Sequence, residues 1–297
     1  MLKLKSIPPY VRYTISLYLW GILVFTIFRI LLLLQECEGI SIVPKEEVFS
    51  LTFQAFWMGF RIDSVISGYL LSLPFLILAV SHFFRIEKQN LYRFVFIYTS
   101  IIYIIAFAIC AMDIPYFHYF FSRLSIAALT WMDTPVFVGK MIFQDFQSWW
   151  TLFPFLILAY LFQRKNRTLV KQLLEPKIQL SSSKSSHRLK AFWTFIFFGG
   201  LVFLMIRGRT SFKSPIRVGT AFFSNYPLIN QLGLNPNFTL IRSYLDSFDE
   251  DQKVNSFMDE KEALKNVKKY LQISDNQIFK SSIARKITFR NKAQSPK

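Results

Sequence analysis

The amino-acid sequence predicts an all-α, polytopic membrane protein with five transmembrane helices and a cytoplasmic N-terminus. Three observations predict this fold: long apolar segments, a hydrophobic share of 53% with 18% aromatic residues, and an uneven distribution of basic residues between the loops. A helix needs roughly 20 apolar residues to cross a bilayer. The segments that reach or approach this length are 13–35, 64–83, 94–112, 149–163 and 191–206.

The basic residues give these segments an orientation, because cytoplasmic loops carry an excess of lysine and arginine. One set of loops is rich in them: Lys3, Lys5, Arg12, Arg85, Lys88, Arg93, Arg164, Lys165, Arg167, Lys171, Lys177, Lys184, Arg188 and Lys190. The short loops of the other set hold only Lys45, Arg61, Arg123 and Lys140. The first set is therefore predicted to be cytoplasmic. Five crossings then leave residues 207–297 outside the cell (inner) membrane.

The net charge of +17 would suggest a nucleic-acid partner in a soluble protein. Here the basic residues are spread through cytoplasmic loops, where topology and anionic lipid account for them. Nucleic acid is therefore not a predicted partner. The two cysteines, Cys37 and Cys110, are predicted to be unpaired, although a disulfide between them is geometrically allowed.

The segments between the apolar runs carry predictions of their own. Residues 49–60 are of mixed polarity and predict either a short interfacial helix or an outward extension of the second span. Residues 113–148 are rich in aromatic side chains, which favour the headgroup zone, and predict short interfacial helices after a third span that ends at Asp113. The fourth segment is short for a span unless residues 143–148 extend it. Residues 164–190 predict a cytoplasmic loop that ends in a flexible, serine-rich linker.

Two domains are predicted, a five-helix transmembrane domain over residues 1–206 and an extracytoplasmic linker over residues 207–297. In the linker, residues 207–255 are punctuated by prolines and predict irregular structure. Residues 259–272 predict a helix, because acidic residues begin the segment and lysines follow, as the helix dipole favours.

Ionisable residues inside or beside the membrane are the best available pointers to a site. Arg29 lies within the first apolar segment, about 24 Å from its cytoplasmic end at 1.5 Å per residue. Other charges fall at the same predicted depth: Arg61, Asp63, Asp113, Arg123, Arg207 and Arg209.

Two interpretations of these charges stay open. They could form a pocket for an anionic phospholipid headgroup, since the planar arginine fork donates two hydrogen bonds to phosphate. Alternatively, Arg29 could pair with Asp63 or Asp113 for structural reasons, while the other arginines extend to the headgroups.

The sequence contains no recognisable catalytic or metal-binding pattern. Its three histidines, His82, His118 and His187, fall in separate segments, and no HExxH, Walker A, GxSxG or CxxC motif occurs. No catalytic residue and no metal ligand is therefore predicted. The stretch Asn237-Phe238-Thr239 fits a glycosylation sequon, but the preceding Asn235-Pro236 favours a turn.

Several stretches together resemble a known family. They are Gly59-Phe60-Arg61-Ile62-Asp63, Met112-Asp113-Ile114-Pro115-Tyr116-Phe117, Arg207-Gly208-Arg209, Gly219-Thr220-Ala221-Phe222-Phe223-Ser224 and Asn230-Gln231-Leu232-Gly233-Leu234-Asn235-Pro236. The chain resembles the membrane half of lipoteichoic-acid-synthase-like proteins. These are bacterial phosphoglycerol transferases and their sulfatase-family relatives in the alkaline phosphatase superfamily.

The resemblance covers nearly the whole chain and implies five transmembrane helices, a linker with helices on the outer face, and then an extracytoplasmic catalytic domain. In that family a threonine nucleophile takes a phospho-headgroup from a membrane lipid, and Glu, Asp and His hold a divalent metal such as manganese. No position in this chain can be matched to the nucleophile or to those ligands. The resemblance therefore implies a chain without a cofactor of its own and inactive alone, whose catalytic domain is missing.

The expected function is accordingly to anchor that domain and to hold a membrane phospholipid headgroup beneath it. The alternative is a stand-alone integral membrane protein, either a transporter or an assembly scaffold. Transporters usually have helices broken by glycine or proline near the midplane, often in repeated halves. The apolar segments here contain few such breaks and no repeat.

Overall fold

The structure is a computed structural model that describes residues 8–86, 88–129, 146–174, 184–209, 215–250 and 258–271. Within these ranges the secondary structure is helical and no strand is present, which confirms the all-α prediction. The helices are α1 (Pro9–Gln35), α2 (Lys45–Phe84), α3 (Gln89–Phe120), α4 (Ile126–Leu129), α5 (Phe146–Leu174), α6 (Lys184–Arg207), α7 (Pro227–Leu232), α8 (Pro236–Glu250) and α9 (Glu260–Tyr270). Two short 3₁₀ helices cover Cys37–Ile42 and Val218–Ala221.

Four helices in the described ranges are long and apolar enough to cross a membrane: α1, α2, α3 and the Arg188–Arg207 part of α6. Helix α5 is not among them. Its apolar stretch is preceded by Gln147 and Ser148 and is followed by several basic residues, beginning with Arg164. By length and composition, these are the helices of a membrane-embedded protein.

Helix α1 lies at the centre of the bundle and contacts α2, α3 and α5. Helix α6 packs on α2, and α5 packs on α3. Aromatic rings fill these contacts, as between Phe25 of α1 and Phe107 of α3, whose centroids are 5.5 Å apart. Gly21 allows α1 and α3 to approach closely, because a Cβ there would lie 2.7 Å from the ring of Tyr103.

Side-chain contacts reveal that the helices alternate in direction. At one end, which we term the Tyr–Asn end, Tyr13 near the start of α1 bonds Thr99 in the first half of α3 and Asn166 in the second half of α5. At the other end, termed the Arg–Asp end, Arg29 of α1 bonds Asp63 of α2. Helices α1 and α3 therefore run from the Tyr–Asn end to the Arg–Asp end, and α2 and α5 run back.

The helices α2 and α3 are longer than the sequence predicted. Helix α2 begins at Lys45, so residues 49–60 extend the second span. Helix α3 continues beyond the predicted end of the third span at Asp113, through Pro115 to Phe120. The Asp113 carboxylate is neutralised by Arg123 within the fold. Asp113 therefore does not need contact with water, and the helix can continue past it. Residues 130–145, predicted as part of the interfacial segment, lie outside the described residues.

The predicted loop over residues 164–190 is wrong at both of its ends. Helix α5 continues to Leu174, and α6 begins at Lys184, several residues before the predicted fifth span. Residues 175–183, which include part of the predicted serine-rich linker, lie outside the described residues.

The prediction of irregular structure over 207–255 is wrong at α7 and α8, and residues 210–214 and 251–255 lie outside the described residues. Pro227 and Pro236 do not interrupt the structure as predicted, because each opens a helix, α7 and α8 respectively. Proline suits the first helical position because its fixed φ matches the helix and its missing N–H has no partner there anyway. Asn235 precedes α8 and caps it, since its side-chain oxygen accepts from the backbone N–H of Asn237 at 2.9 Å.

The chain divides into two compact units, Met1–Asp246 and Ser247–Lys297. The first unit thus continues beyond the predicted domain boundary after residue 206. In the second unit, α9 confirms the helix predicted over 259–272, with Glu260 and Glu262 in its first turn and Lys268 and Lys269 in its last. Residues 272–297 lie outside the described residues.

Candidate functional site

The buried ion pair between Arg29 and Asp63 joins α1 to α2 at the Arg–Asp end. The two outer guanidinium nitrogens of Arg29 donate to the two carboxylate oxygens of Asp63, at 2.8 Å each. Arg29 is 4% exposed and Asp63 is fully buried. Such a two-point pair compensates both charges in a place where neither could stand alone. The interpretation that Arg29 pairs with an aspartate therefore holds, and the aspartate is Asp63.

A second buried pair, between Arg123 and Asp113, lies at the same end. Arg123 follows α3 in the chain and folds back so that Nη1 donates to Asp113 Oδ2. The other carboxylate oxygen of Asp113 accepts from the backbone N–H of Leu124 at 2.7 Å. The ring of Phe117 covers the guanidinium of Arg123 from 5.9 Å. Like the first pair, this one leaves no buried charge uncompensated.

Both arginines also hold the segment that follows the last long helix. We term Gln231–Asn237 the docking loop, which runs from the C-terminal end of α7 into α8. Arg29 Nε donates to the carbonyl oxygen of Leu232 at 3.0 Å. Arg123 donates to the carbonyl oxygens of Gln231 and Leu234, both at 2.9 Å. The C-terminal carbonyls of a helix lack partners within the helix and carry partial negative charge, so guanidinium groups suit them.

Asparagine side chains complete the attachment of the docking loop. Asn235 Nδ2 donates to Asp63 Oδ1 at 2.8 Å. Asn237 Nδ2 donates to the carbonyl oxygen of Ala106 at 3.0 Å and reaches the sulfur of Cys110 at 3.3 Å. Asn237 is 4% exposed, so the amide of the apparent glycosylation sequon is inside the protein. The sequence identified these asparagines only as a turn and missed their role.

A third asparagine, Asn230, organises the turn before α7. Its Oδ1 accepts from the backbone N–H groups of Phe223 and Ser224, at 3.2 and 2.9 Å. Its Nδ2 donates back to the carbonyl oxygen of Ser224 at 2.7 Å. The side chain thereby replaces the backbone partners that a regular element would provide. The sequence did not identify this residue as a site residue either.

The remaining predicted site residues lie at the Arg–Asp end but differ from Arg29 and Arg123. Arg61, Arg207 and Arg209 are half-buried rather than buried. Arg61 donates to the carbonyl oxygen of Gly208 at 3.1 Å, and Arg209 donates to the hydroxyl of Thr220 at 2.7 Å. Within the described part of the chain, neither Arg61 nor Arg209 forms an ion pair with a carboxylate.

Gly208 shapes this second group of arginines. It follows the last residue of α6 and has a φ of +66°, the left-handed conformation in which helices commonly end. A Cβ at this position would lie 2.7 Å from Val65 and 2.8 Å from Ile216. The close approach brings the chain between Arg207 and Arg209 against α2, where Arg61 reaches it.

A metal site is not apparent in this region. Across the described ranges, no group of three or more His, Cys, Asp or Glu side chains is placed to hold a metal ion. The resemblance implies the divalent metal for the catalytic domain and not for these residues. Cys37 is exposed and Cys110 is buried, and neither forms a disulfide. His118 is engaged by Glu36, with 2.9 Å between Nδ1 and Oε1.

Comparison with protein-family models, with curated proteins and with solved structures finds no match to this chain.

Proposed function

We propose that this chain is the membrane-anchoring, lipid-headgroup-presenting part of an enzyme that transfers phospholipid headgroups at the outer face of the cell membrane. The enzyme would be of the lipoteichoic-acid-synthase-like, sulfatase-family type. The observation that carries the proposal is the attachment of the docking loop to the bundle by Arg29 and Arg123. An anchor requires that the chain leaving the last span be fixed to the membrane helices.

The proposal includes five crossings with the N-terminus in the cytoplasm. The direction of α5 supports the fifth crossing, because α5 runs antiparallel to α1 and α3 and packs on both. The excess of lysine and arginine in the loops at the Tyr–Asn end supports the orientation. The Arg–Asp end then faces the outside, where a headgroup transferase would work.

The headgroup site that we propose consists of Arg61, Arg207 and Arg209. Arg61 contacts the carbonyl oxygen of Gly208, the residue between Arg207 and Arg209 in the chain. Arginine binds phosphate through a planar fork of N–H donors. Arg29 and Arg123 are left out of this site, because their guanidinium groups are buried and bonded to aspartates and carbonyls. The headgroup site is therefore smaller than the full set of charges that the sequence indicated.

A narrow groove beside these arginines supports the proposal that a lipid binds there. It lies between α1, α2 and α6, with a volume of about 70 Å³, and its walls are apolar. Gly68 and Met205 line it near the arginines, and Val11 and Phe75 line it toward the Tyr–Asn end. A phospholipid with its phosphate at Arg61 could lay part of one acyl chain in this groove.

The chemical step itself would belong to an external catalytic domain, which would hold the divalent metal, such as manganese. This chain would contribute position: it would keep the donor lipid headgroup at the surface on which the catalytic domain sits. The proposal therefore assigns no nucleophile, acid or base to the residues described here.

The test uses native membranes in which the chromosomal gene carries R61Q/R209Q. These membranes receive phosphatidylglycerol labelled in its headgroup, and transfer of label to an acceptor is measured. We expect transfer to fall at least tenfold, because two charge-assisted contacts to phosphate are lost. Lys45→Gln, which removes an exposed charge at the same end, should leave transfer unchanged.

Three results would contradict the proposal. Equal transfer of label in the wild type and in R61Q/R209Q would mean that these arginines do not form a headgroup site. Absence of any transfer, together with solute uptake into sealed vesicles that depends on this chain, would favour the transporter instead. Binding of other envelope proteins without transfer or uptake would favour the assembly scaffold.

A further inference from the structure

We propose that the Tyr–Asn end carries a separate binding site for an anionic phospholipid, in a groove between the start of α3 and the end of α5. The groove has a volume of about 370 Å³. Its polar residues are Gln89, Asn90, Arg93, Arg167 and Lys171. It lies at the end of the bundle opposite to Arg61 and Arg209 and does not depend on the function proposed above.

Charge is the first observation that points to an anionic ligand. Arg93, Arg167 and Lys171 are exposed and line one cavity, and no carboxylate is among its described lining residues. Arg167 and Lys171 are also separated by one helical turn, a spacing at which like charges destabilise a helix. An anion bound between the three cations would relieve this repulsion.

The start of α3 is the second observation. The first amide groups of a helix have no partner within it and carry partial positive charge. Gln89 is the first residue of α3, and no side chain caps the helix from the preceding position, Lys88. Gln89 and Asn90 line the groove, so the uncapped first turn lies beside the three cations. Uncapped helix starts of this kind bind phosphate groups.

The apolar part of the groove indicates a lipid rather than a free phosphate ion. Phe96, Val170 and Leu174 line it beside the cations. Phe94 and Ile97, on neighbouring positions of α3, are exposed apolar residues. Because the groove involves the first two turns of a helix long enough to span a membrane, its cations would lie at the level of lipid headgroups. Basic pockets between membrane helices bind anionic headgroups in this way.

Hydrogen bonds between α3 and α5, next to the groove, keep the two walls of the groove at a fixed separation. Asn166 precedes Arg167, and its amide donates to the hydroxyls of Thr99 and Ser100 of α3, at 3.0 and 3.1 Å. Phe96 is one turn before Thr99. The groove is therefore formed in advance by neutral hydrogen bonds inside the bundle, and the ligand does not have to bring the helices together.

The experiment compares lipid binding by the purified full chain in detergent, measured by native mass spectrometry. The probes are phosphatidylglycerol, phosphatidylcholine with the same acyl chains, and inorganic phosphate. The variant R93Q/R167Q/K171Q removes the cations of the groove. The matched control R164Q/R188Q/K190Q removes three exposed cations that do not line it.

We expect the groove variant to bind phosphatidylglycerol about a hundredfold more weakly at this site, since each cation beside an anionic headgroup contributes about a factor of five. The single variants R93Q, R167Q and K171Q should each weaken binding about fivefold. The control should bind as the wild type does. Phosphatidylcholine should bind weakly to all forms, and inorganic phosphate should not displace the lipid.

The variant R61Q/R209Q separates this site from the proposed headgroup site. It should lose a different bound lipid and retain the one in the groove. The inference is overturned if the groove variant retains its phosphatidylglycerol, if the control loses as much, or if phosphatidylcholine binds equally well. Displacement of the lipid by inorganic phosphate would also overturn it, because the site would then be one for a soluble anion.

Discussion

The two ends of the bundle are held together by different chemistry. At the Tyr–Asn end the hydrogen bonds of Tyr13 are neutral: its hydroxyl bonds the amide of Asn166 at 3.0 Å and the hydroxyl of Thr99 at 3.1 Å. At the Arg–Asp end there are two buried ion pairs, one that joins α1 to α2 and one that holds the chain after α3 against α3. Both partners of Tyr13 belong to long helices, whereas the arginines at the other end also hold the docking loop.

This difference indicates what the buried charges are for. A buried ion pair is weak evidence for stability, because the cost of removing two charges from water offsets their attraction. Neutral hydrogen bonds are enough to align neighbouring membrane helices. An arginine adds spare N–H donors after its carboxylate is satisfied, and Arg29 and Arg123 use these donors on backbone carbonyls. The charges thus serve to position a segment from outside the helical bundle.

The largest expected effect comes from removing one carboxylate. Asp63→Leu and Asp113→Leu should each lower the free energy of unfolding by about 3–5 kcal/mol, because an uncompensated guanidinium is left buried. Chemical unfolding in detergent micelles measures the loss. The double variant R29M/D63L should recover much of it, although the carbonyl of Leu232 then lacks its donor.

The choice of partner can be tested in the same series. The effects of Arg29→Met and Asp113→Leu should add without coupling, because these residues belong to different pairs. A coupling between Arg29 and Asp113 as strong as that between Arg29 and Asp63 would mean that the pairing described here is wrong.

An intermediate effect is expected at Gly59 of α2. A Cβ there would lie 2.2 Å from Arg29 Cζ and 2.4 Å from Nε. Gly59→Ala should therefore displace the guanidinium from Asp63 and lower the free energy of unfolding by about 2 kcal/mol or more, against a helix-propensity gain of up to about 1 kcal/mol.

The matched control is Gly200→Ala in α6, where nothing lies within 4 Å of the added carbon. This change should be neutral or stabilise by up to about 1 kcal/mol, since alanine is the better helix former. If both substitutions stabilise the protein in micelles, Arg29 does not occupy the position beside Gly59.

The smallest effect is expected at the Tyr–Asn end. Tyr13→Phe removes a hydroxyl that bonds two neutral partners and should cost about 1 kcal/mol. Tyr98→Phe, on the partly exposed side of α3, is the control and should cost less. If Tyr13→Phe lowered the free energy of unfolding as much as Asp63→Leu, the proposed difference in chemistry between the two ends would be wrong.

The sequence predicted the helical class and the common depth of the charges, because hydropathy and charge report position along the membrane normal. It did not decide whether Arg29 pairs with Asp63 or with Asp113, because two aspartates at one depth can be distinguished only by the lateral order of the helices. That order depends on side-chain packing, such as the approach of α1 to α3 at Gly21.

The segment after α6 was mispredicted for a different reason. Pro227 and Pro236 have two opposite local meanings, since proline both breaks a helix and begins one. Asn235 before Pro236 was a usable signal, because asparagine is a preferred cap. The bonds from Arg29 and Arg123 to backbone carbonyls could not be predicted. Every residue has a backbone carbonyl, so residue types do not indicate which carbonyl an arginine will bond.

The sequence separations of these bonds have a consequence for biosynthesis. Arg29 and Asp63 are 34 residues apart, and Asp113 and Arg123 are 10 apart. Each charge can therefore meet its counterpart soon after it leaves the ribosome. The carbonyl of Leu232 lies 203 residues after Arg29 and is translated much later than either ion pair. The two ion pairs can thus form before the docking loop is translated, and the remaining N–H donors of Arg29 and Arg123 bond the docking loop afterwards.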